Sequence, residues 1–358
     1  MAASNPAQPD PDATRADRIG LAEIASRAGV SEATVSRVLN RKYGVSPRTR
    51  ETVEQAMNEL GVQRRSRGDH VAILTPNITN PLFAELCERI EERLARHGLR
   101  TLVCPVFPGT DQEMVYVESL LRIGVAGAIF LSSSNTIKSS DRTPYRLLQE
   151  RGVPFVCMNG GFDDVSAPVF STDDLLAAEL AVDHVVTLGH TRIGMAAGPE
   201  GNTPADRRVE GFLRATARRG MPKKDVPFVR TSYSAEGGQR AAEQFLAQGV
   251  TALVASSDEM ALGMMRAVKR QGLTTPTDVS VVGYDDSRLL EYVDPPLTTV
   301  RQPVQRLATE IARAVTALVD GREVEVGEMF FDPELVVRAS TSTAPGTAVQ
   351  MVMPAGAP

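Results

Sequence analysis

Cysteine is scarce in this chain of 358 residues: Cys87, Cys104 and Cys157 are its whole complement. They are odd in number, scattered and without metal-ligand spacing, so they read as reduced, mostly buried thiols rather than a disulfide framework. Histidine is nearly as rare. His70, His97, His184 and His190 show no metal spacing either, and no metal or cofactor is expected. No apolar run approaches the length of a membrane span, and no basic region followed by an apolar one opens the chain. A cytoplasmic protein without membrane contact is the resulting expectation. Catalytic signatures are missing as well. The apolar run 71–75 is followed by TPNITNP rather than G-x-G-x-x-G, and neither a Walker A lysine loop nor a G-x-S-x-G elbow occurs. The acid pairs Asp173/Asp174 and Asp285/Asp286 could do acid–base work, yet adjacent acids at strand ends are more often helix caps. An enzyme, such as a nicotinamide-dependent oxidoreductase, is therefore set aside, with no catalytic residue expected.

Positive charge is also short overall. The net charge is −5, which looks wrong for a nucleic-acid binder until it is divided along the chain. Residues 1–68 hold 11 Lys+Arg against 8 Asp+Glu, a charge of +3, so the remaining 290 carry −8. Between 19 and 68 there are 9 basic and 5 acidic residues. A basic head suits phosphate contacts through counterion release, and an acidic body is discouraged from lying on a duplex. With 42% apolar and 23% charged residues, the composition is globular, and the length leaves room for two or three domains.

What is present begins with residues 21–40, LAEIASRAGVSEATVSRVLN. Leu21, Ile24, Ala25 and Ala28 form one stripe of a short amphipathic helix. Gly29 breaks it, because Gly takes the left-handed backbone that closes a helix. Ser31 is a good N-cap for a second helix with Val35, Val38 and Leu39 on its buried side. The opposite side carries Glu32, Ala33, Ser36, Arg37 and Asn40. Two short helices joined by a tight turn, the second with a polar face, form the helix-turn-helix pattern, with an ordinary αα-hairpin as the alternative. Ser46-Pro47 then caps a third helix, whose Val53, Ala56, Met57 and Leu60 supply a core that two helices could not make.

The strings ASRAGVSEATVSRVLN and VSPRTRETVEQAMNELG resemble the DNA-binding headpiece of the lactose-repressor (LacI/GalR) family over roughly residues 19 to 61. The resemblance implies a second helix in the major groove, with Ser31 and Thr34 on phosphates and Glu32, Ala33 and Arg37 at base edges. Leu21, Ser36 and Asn40 complete the implied DNA-facing set. Arg37 is a natural bidentate partner for guanine. One segment departs from the family pattern. Most relatives follow the third helix with Y-x-P-N and a hinge helix whose leucine wedges into the minor groove. Here residues 62–70, VQRRSRGDH, contain neither, and the hinge helix is expected to be absent. Arg64, Arg65 and Arg67 are expected to contact phosphates or a narrow minor groove instead; a flexible tether that merely tolerates charge is the alternative.

From residue 71, apolar runs alternate with helical segments. The runs are 71–75, 101–104, 126–131, 154–158, 169–171, 192–197, 252–255 and 279–283. Near-continuous apolar runs are the signature of parallel strands covered on both faces. Asn80-Pro81 and a capping box from Thr110 to Glu113 mark helix starts. This alternation is too long for one doubly wound sheet, so two similar α/β lobes with a cleft between them are expected. The residues leaving the runs are polar or turn-forming: Pro76-Asn77, Ser132-Ser133-Ser134, Asn159-Gly160-Gly161, Thr172-Asp173-Asp174, Ser256-Ser257-Asp258 and Tyr284-Asp285-Asp286. Such a ring suits a ligand rich in hydroxyls, although each member alone would also serve as a helix cap.

VGYDDS with PPLTTV, NPLF, TLGHTRIG and ASSDEMALG resemble core motifs of the same family, whose body is similar to periplasmic sugar-binding proteins. The implied fold is a three-helix headpiece followed by two doubly wound α/β lobes. The expected boundaries are a disordered tail 1–18, headpiece 19–61, linker 62–70, body 71–340 and a disordered tail 341–358. The first lobe would take about 71–189 and 303–327, the second about 190–300 and 328–340. By matching motif positions, Arg208 rather than Arg207 would clamp effector hydroxyls, Asp285 would accept hydrogen bonds and Tyr233 would stack. Ile78, Asn80 and Phe83 would line the opposite lobe. Ser257 occupies a position often held by Asn, which puts one polar contact in doubt. The wording leans towards repressors of cello-oligosaccharide or maltose utilisation. The implied partners are a palindromic double-stranded operator, a second copy of the chain and a sugar effector; a purine or other non-sugar effector, acting as co-repressor, is the alternative. The end of the chain lacks leucine heptads, so the family's occasional tetramerising helix is not expected. Replacing Arg64, Arg65 and Arg67 together by Ala is expected to weaken operator binding and flatten its salt dependence; unchanged affinity and salt slope would leave the linker a mere tether.

Overall fold

The computed structural model describes residues 21–39, 44–60 and 68–346. Asn40, the linker residues Arg64, Arg65 and Arg67, the N-terminal tail and residues 347–358 lie outside the described residues. The head consists of α1 (Leu21–Ala28), α2 (Glu32–Leu39) and α3 (Pro47–Glu59). Gly29 takes φ +66, and Val30 N donates to Ala25 O at 3.1 Å, which closes α1 in the left-handed manner its sequence predicts. Ser31 Oγ accepts from Thr34 N at 3.2 Å, and Ser46 Oγ accepts from Thr49 N at 3.1 Å. Both helix starts are thus satisfied by hydroxyl caps. Ile24, Ala25 and Ala28 pack with Val35, Val38, Val53, Ala56 and Met57 in one small core. An Arg27–Glu59 ion pair joins α1 to the end of α3. Leu21, expected on the buried stripe, is instead 41% exposed, because it opens α1 one turn before that core begins.

The body holds two six-stranded sheets. The first contains β1 (His70–Thr75), β2 (Arg100–Pro105), β3 (Gly127–Leu131), β4 (Phe155–Met158), β5 (Val169–Thr172) and β11 (Glu328–Phe331), in the order β2-β1-β3-β4-β5-β11, all parallel. The helices α4 (Pro81–Ala95), α5 (Gln112–Ile123), α6 (Thr143–Glu150) and α11 (Val304–Val319) cover it. The second contains β6 (Ile193–Ala197), β7 (Phe228–Arg230), β8 (Ala252–Ala255), β9 (Ser280–Asp285), β10 (Thr298–Arg301) and β12 (Glu334–Val336), in the order β7-β6-β8-β9-β10-β12. Only β12 runs antiparallel to its neighbour. Its helices are α7 (Asp174–Thr187), α8 (Thr203–Arg218), α9 (Ala235–Ala247) and α10 (Asp258–Arg270). The apolar runs that predict strands are strands, although β2 at the sheet edge is largely exposed. The four strands without such a run are three or four residues long, and β10 hides its burial behind Thr298 and Thr299, both fully buried.

Three chain crossings join the lobes, and two differ from the expected boundaries. The first falls at Asp173, not after 189: Ala177, Ala181 and Val185 of α7 pack with Ile193, Val282 and Val300 of the second lobe. The second falls at Gln302-Pro303, because Leu307 and Ile311 of α11 pack with Ile73 and Ile129 of the first. The third falls at Asp332-Pro333 rather than at 327, since β11 pairs with β5 and β12 with β10. An amphipathic helix carries no label for the sheet it covers, which is why α7 is assignable only from packing. The capping box is also absent. Asp111 holds the cap position of α5 without a side-chain bond, and Glu113 turns inward to Ser133 Oγ and Ser134 N. The body also extends past residue 340. The His190 ring lies 3.1 Å from Ser342 O, and Ala344 N donates to Leu188 O at 2.8 Å. The buried hydroxyl of Ser280 at the start of β9 and the buried His190 imidazole take this tail's backbone as a partner.

The loops that bound the inter-lobe cleft are held by close helix packing. A Cβ built on Gly263 of α10 would lie 1.9 Å from Ala235 O of α9, and one on Gly238 of α9 would lie 2.0 Å from Met260 O of α10. The crossing therefore brings backbone to backbone. Gly263→Ala must force the helices apart, and the expected loss is about 1–3 kcal/mol of unfolding free energy, measured by urea denaturation. Wild-type stability in that variant would show that the crossing tolerates a methyl group.

Candidate functional site

On the head, α2 turns Val35 and Val38 inward and leaves Glu32, Ala33 and Arg37 exposed, with Ser31 exposed just before it. Thr34 and Ser36 are half-buried, and the Ser31 and Thr34 hydroxyls bond each other at 2.8 Å. Leu21 lies exposed at the start of α1. These residues give the head one small polar surface carrying a single arginine.

In the body, a cavity of about 350 Å³ opens between the lobes, walled by residues from the carboxyl ends of both sheets. Asn80, Phe83, Arg208, Tyr233, Ser257 and Asp285 all line it. Ile78 does not. It is 49% exposed in the turn between β1 and α4, where Asn77 Oδ1 accepts from Thr79 N at 2.9 Å and folds the turn outwards. Asn80 caps α4, its Oδ1 accepting from Leu82 N at 3.0 Å, and its Nδ2 reaches Asp285 Oδ2 in the other lobe at 3.4 Å. Ser257 caps α10, accepting from Met260 N at 3.2 Å, so its oxygen is already engaged where a longer amide would reach further.

Arg208 is buried in α8 and surrounded by acceptors. It bonds Asp174 Oδ1, donates to Tyr233 Oη at 2.7 Å, and lies 4.4 Å from the Tyr284 ring centre. Tyr284 Oη donates to the same Asp174 oxygen at 2.8 Å. Burial works against the guanidinium charge, yet Tyr233, Asp174, Tyr284 and Asp285 hold its pKa well above the ordinary arginine value. Tyr233 can lie here because Gly198 has no side chain: a Cβ there would meet the ring at 2.2 Å. Arg207, one residue earlier, faces away and forms a two-pronged bond to Glu328 of the first lobe at 2.6 and 2.7 Å.

Asp285 ends β9 at φ +123, followed by Asp286 at φ +62, a backbone that turns the carboxylate into the cleft. It accepts from Gln302 Nε2 at 2.8 Å. Burial pushes its pKa up to about 7, against the pull of Gln302, Arg208 and Asn80. Neighbouring Asp258 is also raised, by burial and by Asp285.

Four lining or supporting residues carry no assigned role in the sequence reading. Asn159, at φ +63, donates to Ser132 Oγ at 2.9 Å and accepts from Thr172 N at 3.2 Å. Gln302 accepts from Thr172 Oγ1 at 2.8 Å, Asn202 caps α8, and Asp174 holds Arg208. Asn159 and Asp174 do stand in the polar strand-end ring, and Asn202-Thr203-Pro204 carries a cap-and-proline signal like that of Asn80-Pro81. Gln302 carries no local signal. Among the described residues, no group of three His, Cys, Asp or Glu could hold a metal, and no helix is long and apolar enough to cross a membrane. The arrangement can grip a polar, hydroxyl-rich molecule between two lobes.

Comparison with known proteins agrees with this division into head and body. Residues 20–64 match the family described as bacterial regulatory proteins, lacI family, and residues 182–341 match the periplasmic binding protein-like domain. The HTH-type transcriptional regulator MalR of Streptomyces coelicolor is 44% identical over 335 residues, 91% of this chain and 97% of the relative. A transcriptional regulator CelR–cellobiose complex superimposes with a TM-score of 0.68 at 30% identity, covering 90% of this chain and 100% of that one. The lac repressor dimer bound to operator and the anti-inducer ONPF gives 0.66 at 29% identity, covering 90% and 99%.

The raised Asp285 pKa has a measurable consequence. In the unfolded chain this carboxyl ionises near pH 4, whereas in the folded protein it keeps its proton up to about pH 7. The folded state binds the extra proton in that window, so stability falls as pH rises through it. Asp285→Asn cannot ionise, and its unfolding free energy should drop less between about pH 5 and about pH 8 than that of the wild type. Parallel drops would place the proton elsewhere.

Proposed function

The chain belongs to the LacI family of DNA-binding transcriptional regulators and is not an enzyme, and on that premise we propose that it is a cytoplasmic repressor of carbohydrate-utilisation genes that leaves a palindromic operator when a sugar occupies the inter-lobe cleft. A homodimer presents two heads to half-sites about one helical turn, roughly 34–36 Å, apart. Ser31 and Thr34 contact phosphates, Glu32, Ala33 and Arg37 face base edges, and Leu21, Ser36 and Asn40 complete the surface. An Arg37–guanine pair discriminates by about 1–3 kcal/mol. Arg64, Arg65 and Arg67 add phosphate or minor-groove contacts between head and body.

The observation that carries the effector reading is the charge of the cleft wall. Its only basic side chain, among the described lining residues, is Arg208, and that charge is already matched by Asp174. Glu200 and Glu259 line the same space, leaving it net negative. A phosphate or carboxylate would meet uncompensated repulsion there, whereas a neutral polyol finds amides, hydroxyls and aromatic edges. The cavity volume of about 350 Å³ lies at the small end of the ligand-site range of roughly 300–1,000 Å³. Arg208 and Asp285 bond hydroxyls, Tyr233 covers an apolar sugar face, and Asn80 and Phe83 close the opposite wall. Ser257 lines the cleft with an oxygen already committed to a cap. Effector and operator are coupled only if the sugar prefers one lobe arrangement, and a typical coupling of about 1–3 kcal/mol corresponds to a 5- to 150-fold change in DNA affinity.

Calorimetric titration with maltose, cellobiose, trehalose and hypoxanthine, paired with operator release, tests this reading. One of the sugars is expected to bind and release the operator, and Arg208→Ala to abolish that response while leaving DNA binding in place. Binding of hypoxanthine alone, with tighter operator affinity, would replace the sugar by a purine co-repressor.

A further inference from the structure

A further contact between the lobes lies beside the cleft. The first lobe extends a segment after β3, a short 3-10 turn Ser134–Thr136 followed by Ile137 and Lys138. Its base is fixed from below: Glu113, itself buried, accepts from Ser133 Oγ and from Ser134 N at 3.1 Å. Its tip meets the second lobe in three ways. Ile137 forms an antiparallel bridge with Asn202, Lys138 N donates to Gly201 O at 2.9 Å, and Lys138 Nζ reaches Asp206 Oδ2 at 2.8 Å. The fourth contact is chemically different. Asn202 Nδ2 donates to Thr136 Oγ1 at 3.0 Å, while Asn202 Oδ1 accepts from Ala205 N at 3.2 Å and from Tyr233 Oη at 3.3 Å. Tyr233 Oη in turn accepts from Arg208 Nη2 at 2.7 Å.

One carboxamide thus spans from the opposite lobe to the arginine of the cleft. We propose that Asn202 is a positioning residue that reports lobe closure to Arg208, by way of its Thr136 bond on one side and the Tyr233 hydroxyl on the other. In the closed arrangement Thr136 fixes the amide plane, so Oδ1 points at Tyr233 and Tyr233 holds the guanidinium in its cleft-facing pose. When the lobes part, Nδ2 loses its acceptor, the amide turns freely about its cap bond, and Tyr233 loses its orienting partner. Each bond in the line is modest and the Asn202–Tyr233 bond is exposed to water, so the line acts by orienting the amide and the hydroxyl rather than by its strength. The role assigned to Arg208 rests on the effector reading above; the closure and its transmission to Tyr233 do not.

The test therefore needs no ligand. The native cysteines are buried, so spin labels on Arg151→Cys and Lys224→Cys, both exposed and on opposite lobes, report the inter-lobe distance. Fluorotyrosine labelling of the six tyrosines gives a resonance for Tyr233, assigned with Tyr233→Phe. Thr136→Val, near-isosteric and outside the cavity wall, is expected to widen the distance distribution and shift the Tyr233 resonance, and Thr136→Ser to restore both. If the valine variant does not fold, Lys138→Ala, at an exposed position, loosens the same clasp through the Asp206 ion pair, and it is expected to widen the distance distribution and to shift the Tyr233 resonance with it. A widened distance with an unmoved Tyr233 resonance overturns the coupling, and identical distance distributions overturn the clasp. Failure of every sugar in the titration would overturn the effector reading alone.

Discussion

A guanidinium buried against a carboxylate fixes the geometry of the second lobe. Arg208 and Asp174 have almost no exposure, and each would be costly to bury without the other. Such pairs contribute little net stability; their use lies in direction. Asp174 begins α7 and Arg208 lies in α8, so the pair sets how these two helices sit against one another and on β6. Tyr284 at the end of β9 bonds the same carboxylate, which ties the sheet to the helix pair. With its charge matched from behind, Arg208 faces the cleft as a hydrogen-bond donor rather than as a bare cation, and the wall around it becomes suited to neutral, hydroxylated ligands.

The three crossings explain how two lobes share one site. Thr172 and Gln302 each stand immediately before a crossing, and the hydroxyl of one donates to the amide of the other. Gln302 then donates to Asp285, which also receives Asn80 from across the cleft. The residues at the hinge are thus residues of the cleft wall. On the proposed effector reading, a ligand that bonds Asp285 would pull on the same atoms that join the lobes, and so would interact differently with open and closed arrangements. The ionisation of Asp285 is held back by its burial.

Much of this was legible from local patterning. The three head helices follow from hydrophobic spacing, a left-handed glycine and two hydroxyl caps, all of which act within a few residues. Eight of the strands announce themselves as apolar runs, seven of them because a parallel strand is covered on both faces; β2, at the sheet edge, keeps an apolar run although much of it is exposed. Less legible were the short strands at or near the sheet edges, the side of the cleft taken by α7, and Glu113. In sequence that glutamate completes a capping box; in the fold it is turned inwards, where it accepts from Ser133 Oγ and Ser134 N of the buried turn after β3. Ile78 is the reverse case, a matching motif position turned outwards by an asparagine-capped turn.

By itself, the sequence determined the head, the alternation of strands and helices, the division of charge between a basic end and an acidic body, and the polar character of the strand ends. These depend on periodicity and composition, which are properties of neighbours along the chain. Tertiary structure alone decided where the chain changes lobes, that Asp174 matches Arg208, that Gln302 joins the hinge to Asp285, and that Asn202 meets Thr136. Each of those pairings brings together side chains 17 to 130 residues apart, and at such separation only the packing of two sheets, not any local pattern, determines which polar groups must satisfy one another.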